Sequence, residues 1–438
     1  MRAARTLPAL LLAVVLMAVG GLVALFAVAA RLSPPSTVAG VAATPTAGHV
    51  LTSTPSHVLT GTPSTAPPTP ISTATVRPQW PRDQLALLSQ ADPTSHCYSN
   101  LWADTFAGRT IAFVGSKRGK NGVHVIDISD ARRPVVLQLW QPDGAKDEVL
   151  DIRTFGSYAA FGGLKGVYIV DFRALEKPVQ VAHIKPGPED GVFSEVHTLA
   201  LERNILFVAD NTGPEVEVFD LSDPARPVRL PPITDPAKQD VHGLTAVGGR
   251  IYAATNDPRG WMTVWDISGL PDRSPVLLGH WDSGPWTHSS WPSPSGDHLA
   301  VNHETEGGVV DIWDIHDLGR PELVATITPS ALDFGTHSVH ETVWLGDKLY
   351  AGWGSSGAHI FDVSDPRRPG HLAGFDTTLG AGGEATNSGS WAVFPFLGPD
   401  RILTSDWHNG LFILDSTRTA PASSLPQNQG AGTLDTSC

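Results

Sequence analysis

The feature that most constrains this chain is a short apolar run ending in aspartate, which recurs seven times. The copies are Val123-His-Val-Ile-Asp127, Val167-Tyr-Ile-Val-Asp171, Val216-Glu-Val-Phe-Asp220, Met262-Thr-Val-Trp-Asp266, Val310-Asp-Ile-Trp-Asp314, Ala358-His-Ile-Phe-Asp362 and Gly410-Leu-Phe-Ile-Leu-Asp415. Successive aspartates are 44, 49, 46, 48, 48 and 53 residues apart. That period is the length of one four-stranded propeller blade. Each Asp is followed by a turn signal, clearest in Leu221-Ser-Asp-Pro224 and Val363-Ser-Asp-Pro366. Proline removes a backbone donor and fixes φ, so the strand stops there. A second proline, as in Pro134 or Pro178, opens the next short strand. Two further β-rich runs precede each motif, such as Thr198-Leu-Ala-Leu and Ile205-Leu-Phe-Val-Ala. Each repeat therefore reads as strands A, B, C and D, with the aspartate closing C. The expected fold is all-β, a seven-bladed β-propeller.

The ends of the array predict how the ring closes. After Asp415 there is no D strand, only a tail rich in Gly, Ser and Pro, whereas Asp83-Gln-Leu-Ala-Leu-Leu-Ser89 is a spare strand before the first A strand. Pairing that spare strand with the last repeat removes two open sheet edges. The chain has two cysteines, Cys97 and Cys438, so a CxxC metal or redox motif is excluded by count. In an oxidising compartment the two are candidates for one disulfide at the same seam; two free thiols are the alternative.

Outside the array, Arg2 and Arg5 precede an uncharged apolar stretch from Thr6 to Ala30, long enough to cross a bilayer. The positive flank keeps the N-terminus inside and sends the body out. Residues 1–31 are thus a signal peptide, with Ala27-Val28-Ala29 as a cleavage site, or an uncleaved anchor. Residues 32–78 form a Pro/Ser/Thr-rich linker, with 9 Pro and 17 Ser or Thr between 33 and 78, a composition that cannot build a core. The propeller is assigned to 79–418 and a tail to 419–438. Residues 1–78 hold four arginines and no acid, which leaves the rest with 26 basic against 44 acidic side chains, a net of −18. Such a surface repels phosphate backbones, so nucleic acid is not expected as a partner.

The strand Val167-Tyr-Ile-Val-Asp171 and its Ser-Asp-Pro-type turns resemble those of the LVIVD-repeat propellers, over residues 80–415. Two stretches are similar to the bacterial choice-of-anchor B surface proteins. These are His288-Ser-Ser-Trp-Pro-Ser-Pro-Ser-Gly-Asp-His298 with Asn302-His-Glu304, and His340-Glu-Thr-Val-Trp-Leu-Gly-Asp. The resemblance implies an exported propeller without a defined biochemical role.

One constellation carries chemistry. His197, His242, His288 and His340 open the A strands of four consecutive repeats, 45, 46 and 52 residues apart. A strands line the channel of a propeller, so these positions should converge at one mouth. His303, Glu304 and His408 lie in B–C turns of the same face. Glu195 and Asp240 sit two residues before their histidines and Glu341 directly after His340, where a carboxylate can orient an imidazole. Leu150 is the equivalent in the second repeat and Ser388 or Gly389 in the seventh. Neutral imidazoles in a ring suit Cu, Fe or Zn. The same histidines could instead bond to neighbouring blades and order the ring. Three functions follow: a module binding a protein, peptide or glycan, which is the leading expectation; a metal-dependent oxidoreductase or hydrolase; or a purely structural surface protein. The seven repeated aspartates are expected to cap turns.

Overall fold

In the computed structural model each Asp-terminated segment is the third strand of an antiparallel four-stranded blade, and seven such blades form the propeller, the sixth and seventh joined into one eight-stranded sheet by a parallel bridge between Gln84 and Gly374. The described residues are 84–93, 97–117, 121–143, 146–185, 196–210, 213–256, 258–328, 338–378 and 389–420. The apolar run 6–30, the Pro/Ser/Thr-rich stretch, Asp83 and the C-terminal tail from 421 lie outside them. Among the described residues no helix is long and apolar enough to cross a membrane.

The innermost A strands are Tyr98–Phe106, Val149–Phe155, Thr198–Glu202, Val241–Val247, Thr287–Pro292, Glu341–Leu345 and Ser390–Phe394. Burial follows position in the blade. In blade 1 the B strand Arg109–Ser116 is buried over its last six residues, whereas the D strand Val135–Trp140 is largely open to solvent. The core lies between blades: Phe106, Phe113, Phe161 and Phe172, from blades 1 and 2, meet edge to face, with Phe113 and Phe172 centroids 4.9 Å apart. A fully buried Phe contributes about 1.5–3 kcal/mol from area alone, so this stacking holds neighbouring blades in register.

The spare N-terminal strand does close the ring. Gln84–Ala91 pairs antiparallel with the last C strand, Gly410–Ala420, and its Leu85 is buried in the seam. The last strand runs to Ala420, past the expected end of the propeller at 418, because it keeps a partner that far. Cys97, beside this seam, is buried and disulfide-bonded. Cys438, the other cysteine of the chain, lies outside the described residues.

All seven repeated aspartates do the same job. The Oδ1 of Asp127, Asp171, Asp220, Asp266, Asp314, Asp362 and Asp415 accepts the backbone N–H two residues on, at 2.8 to 3.2 Å. This is the Asx turn that stops strand C. Asp130, Asp223, Asp317 and Asp365 repeat the device one step later.

Candidate functional site

The channel end of each A strand contains an irregularity that sequence reading does not reveal. In blades 2, 4, 5 and 7 one residue near the start of the A strand is skipped in the pairing with strand B: Leu150, His242, His288 and Trp391. Blade 1 has a similar shift between Tyr98 and Leu101. Such bulges re-aim a side chain. In blades 3 and 6, His197 and His340 stand one residue ahead of the first pair and donate their N–H groups to the carbonyls of Ala209 and Gly352. The register therefore corrects the expectation for blade 7: the equivalent of the histidines is Trp391, not Gly389, and Ser388 lies outside the described residues. Trp391 stacks on the end of the histidine row, 4.2 Å from the His340 centroid.

The four histidines converge as expected. Along the row, ring centroids are 3.9 Å apart for His197 and His242, 4.6 Å for His242 and His288, and 4.3 Å for His288 and His340. His197 Nε2 lies 2.7 Å from His242 Nε2, close enough for one ring N–H to donate to the other's lone pair. Glu304 reaches into the row from the B–C turn of blade 5, which is fixed by its N–H donating to the Trp286 carbonyl. Its carboxylate is 3.4 Å from His288 Nε2 and 4.0 Å from the Nε2 atoms of His242 and His340.

Burial keeps these imidazoles neutral. It pushes His197 down to about 3, helped by His288 and Lys117. Burial first, then the neighbouring histidines, holds His242 and His340 well below the usual range. His288 is also lowered by burial, against the opposing pull of Glu304 and the His340 backbone. Both ring nitrogens of His288 and Nδ1 of His340 are buried without a well-formed hydrogen bond. The Lys117 ammonium stands nearby, over the Trp391 ring at 4.2 Å.

A second polar layer lies one step along the A strands. Asn100 Nδ2 donates to Asp151 at 2.8 Å, and Asp151 also takes the Arg153 guanidinium at 2.6 Å and the Leu199 N–H. Arg153 lies 4.5 Å over the Trp102 ring. Glu341 belongs to this layer: it bonds Asn100, and burial, only partly offset by Arg153, raises it to about 8. It does not orient His340, because successive strand residues point to opposite sides. His197, His288 and His340 of the row, with Asn100, Arg153 and Glu341 of this layer, line a cavity of about 30 Å³, room for a water or an ion.

Other expected site residues lie elsewhere. Asp240 is exposed and Glu195 is outside the described residues. His303 is tied to the Pro285 carbonyl at 2.8 Å and to Asp311 at 3.2 Å, which makes it a brace for its turn. His408 sits in a turn whose N–H groups bond Asp406, outside both clusters of metal-ligating groups among the described residues. Asp151, Arg153 and Trp391 were not singled out from the sequence. Asp151 and Glu341 share one offset, each directly after the channel-end residue of its blade, Leu150 and His340.

No family model and no curated protein matches this chain. Solved structures do. The structure titled "Crystal structure of RRP9 WD40 repeats" superposes with a TM-score of 0.54 at 14% identity, covering 76% of this chain and 99% of that one. "Structure of U3-55K" gives 0.53 at 14%, covering 76% and 98%. A chain of "Crystal Structure of Mitotic Checkpoint Complex" gives 0.51 at 14%, covering 83% and 98%. The likeness is one of fold. It supports the seven-bladed β-propeller architecture.

Proposed function

We propose that this chain is an exported, membrane-tethered propeller of the LVIVD-repeat type that works as an interaction module, with its ligand end at the histidine-lined mouth of the channel. The observation that carries this reading is local. Four of seven equivalent channel positions, on adjacent blades, hold histidine, and three of these, His242, His288 and His340, face Glu304, while the other blades hold Leu150, Trp391 and, at the blade 1 shift, Ser99 and Asn100. Blade geometry therefore does not require histidine there. Export and tethering rest on the apolar run behind Arg2 and Arg5 and on the linker that follows. The net charge of −18 beyond residue 78 favours protein, peptide or glycan over nucleic acid.

Two measurements test it. Fractionation and protease treatment of intact cells should find the full chain in the membrane fraction and cleavable from outside. Purified full-length protein on glycan and peptide arrays should show saturable binding that His288→Ala with His340→Ala abolishes and Asp223→Ala leaves intact. A cytosolic body, or binding indifferent to the histidines, overturns the proposal.

A further inference from the structure

The geometry points to a mononuclear transition-metal site in the channel, built from His197, His242, His288, His340 and the carboxylate of Glu304, and selective for a copper- or zinc-type divalent ion. This rests on the reading of the histidine mouth as the ligand end and gives that end its chemistry.

Distances carry the argument first. Ligands about 2.0–2.1 Å from a tetrahedral ion lie about 3.4 Å from one another. The His288–Glu304 separation is 3.4 Å, and those from Glu304 to His242 and His340 are 4.0 Å. Donor atoms of His197, His242 and His288 all lie within 4.8 Å of one another, as do those of His288, Glu304 and His340. Both triads share His288, so it is the ligand common to an ion held with His197 and His242 and to one held with Glu304 and His340. Only the His197–His242 contact, 2.7 Å, is tighter than a shared ion permits. That hydrogen bond opens by a fraction of an ångström when an ion takes both lone pairs.

Unmet bonding carries it second. His288 is buried and neither of its ring nitrogens has a well-formed partner. A buried polar group in that condition is unfavourable and calls for an explanation. A purely structural histidine would be tied down, as His303 is by Pro285 and Asp311.

Size and charge narrow the occupant. The cavity beside the row, about 30 Å³ and lined by His197, His288 and His340 but not by His242 or Glu304, admits a water or an ion and no organic ligand. Four imidazoles with one carboxylate and no thiolate favour first-row transition ions, copper tightest and zinc below it, over Mg²⁺ or Ca²⁺, which prefer oxygen. Glu304 brings the negative charge that offsets the nearby Lys117 ammonium. The Glu304 side chain is 34% exposed, which leaves this edge of the site open to solvent or a further ligand.

The test uses the full-length chain in detergent, stripped with a chelator and titrated with Zn²⁺ or Cu²⁺ alone. One equivalent should bind, and the Cu²⁺ form should show nitrogen superhyperfine splitting from several imidazoles. His242→Ala with His288→Ala should lower affinity at least 100-fold. Glu304→Gln, at a partly exposed side chain whose backbone bond to Trp286 the substitution keeps, should lower affinity about 10-fold or more. His316→Ala, an exposed histidine elsewhere, should change nothing. Absence of binding to folded protein, or equal binding by the double variant, overturns the site. If array binding survives in a protein that takes no ion, the metal assignment alone falls. If both are lost, the interaction reading falls with it.

Discussion

The C-strand aspartates and the channel ends of the A strands are both sets of seven equivalent positions, and they behave in opposite ways. All seven aspartates accept the N–H two residues on and do nothing else in common. The channel positions break the repeat, with histidine on one contiguous arc and unlike residues on the rest. A residue kept in every blade answers to blade geometry. A residue type confined to adjacent blades answers to whatever lies between those blades. The two sets also differ in hydrogen bonding: the aspartates are satisfied locally, while His288 is left without a well-formed partner.

That contrast can be broken in four ways. The largest effect belongs to the repeated core. Phe361→Ala, at a fully buried side chain beside Asp362, should cost about 3–5 kcal/mol in urea unfolding. A loss below 1 kcal/mol would mean that blade 6 is not packed as described.

Next comes pH. His197 titrates near 3 when folded against 6.5 ordinarily, so between those values the unfolded chain binds more protons. Stability should therefore fall as pH drops below 6.5, by about 2 kcal/mol from His197 alone between pH 6.5 and 5. His242, His288 and His340 act in the same direction. Glu341, raised to about 8 from 4.5, acts oppositely: its contribution is full below 4.5 and is lost as pH rises through 8. Unfolding series from pH 4 to 9 should show a steep acid limb that His197→Leu flattens and an alkaline limb that Glu341→Gln flattens. Unchanged limbs in those variants would remove the channel groups as the cause.

Asp362→Ala, a lost turn cap, should cost about 1 kcal/mol and leave metal binding untouched. An effect of Asp362→Ala on the bound ion would dissolve the distinction between the two sets. The smallest change is expected from His288→Leu in metal-free protein, within about 1 kcal/mol of wild type or slightly stabilising, because an apolar group replaces a buried one that lacks a well-formed hydrogen bond. A large destabilisation there would make the histidine row a structural brace.

Much of this was readable in advance, for particular reasons. The Asp period specified the blade count because each blade ends a strand with the same local turn, and local turns are written in adjacent residues. The spare strand before Cys97 was legible because a propeller cannot leave the last blade one strand short. The histidine row was legible because a fixed offset in consecutive blades maps to one height in the channel. Trp391 was missed by two residues, since the bulge that re-aims it shows only in the pairing register. Glu341 was assigned to the wrong neighbour, since a one-residue step along a strand turns the side chain away.

By itself, then, the sequence determined the number of blades, the closing strand and which four histidines share a level. Those properties depend on period and on turn chemistry, which are local. Only the tertiary structure decided which carboxylate serves the histidines. Glu304 comes from a turn, whereas Asp240, the nearer in sequence, points to solvent. The physical reason is that donors 16 or more residues apart are brought within 4.8 Å by bulges and blade packing, and neither is encoded in the spacing of the residues themselves.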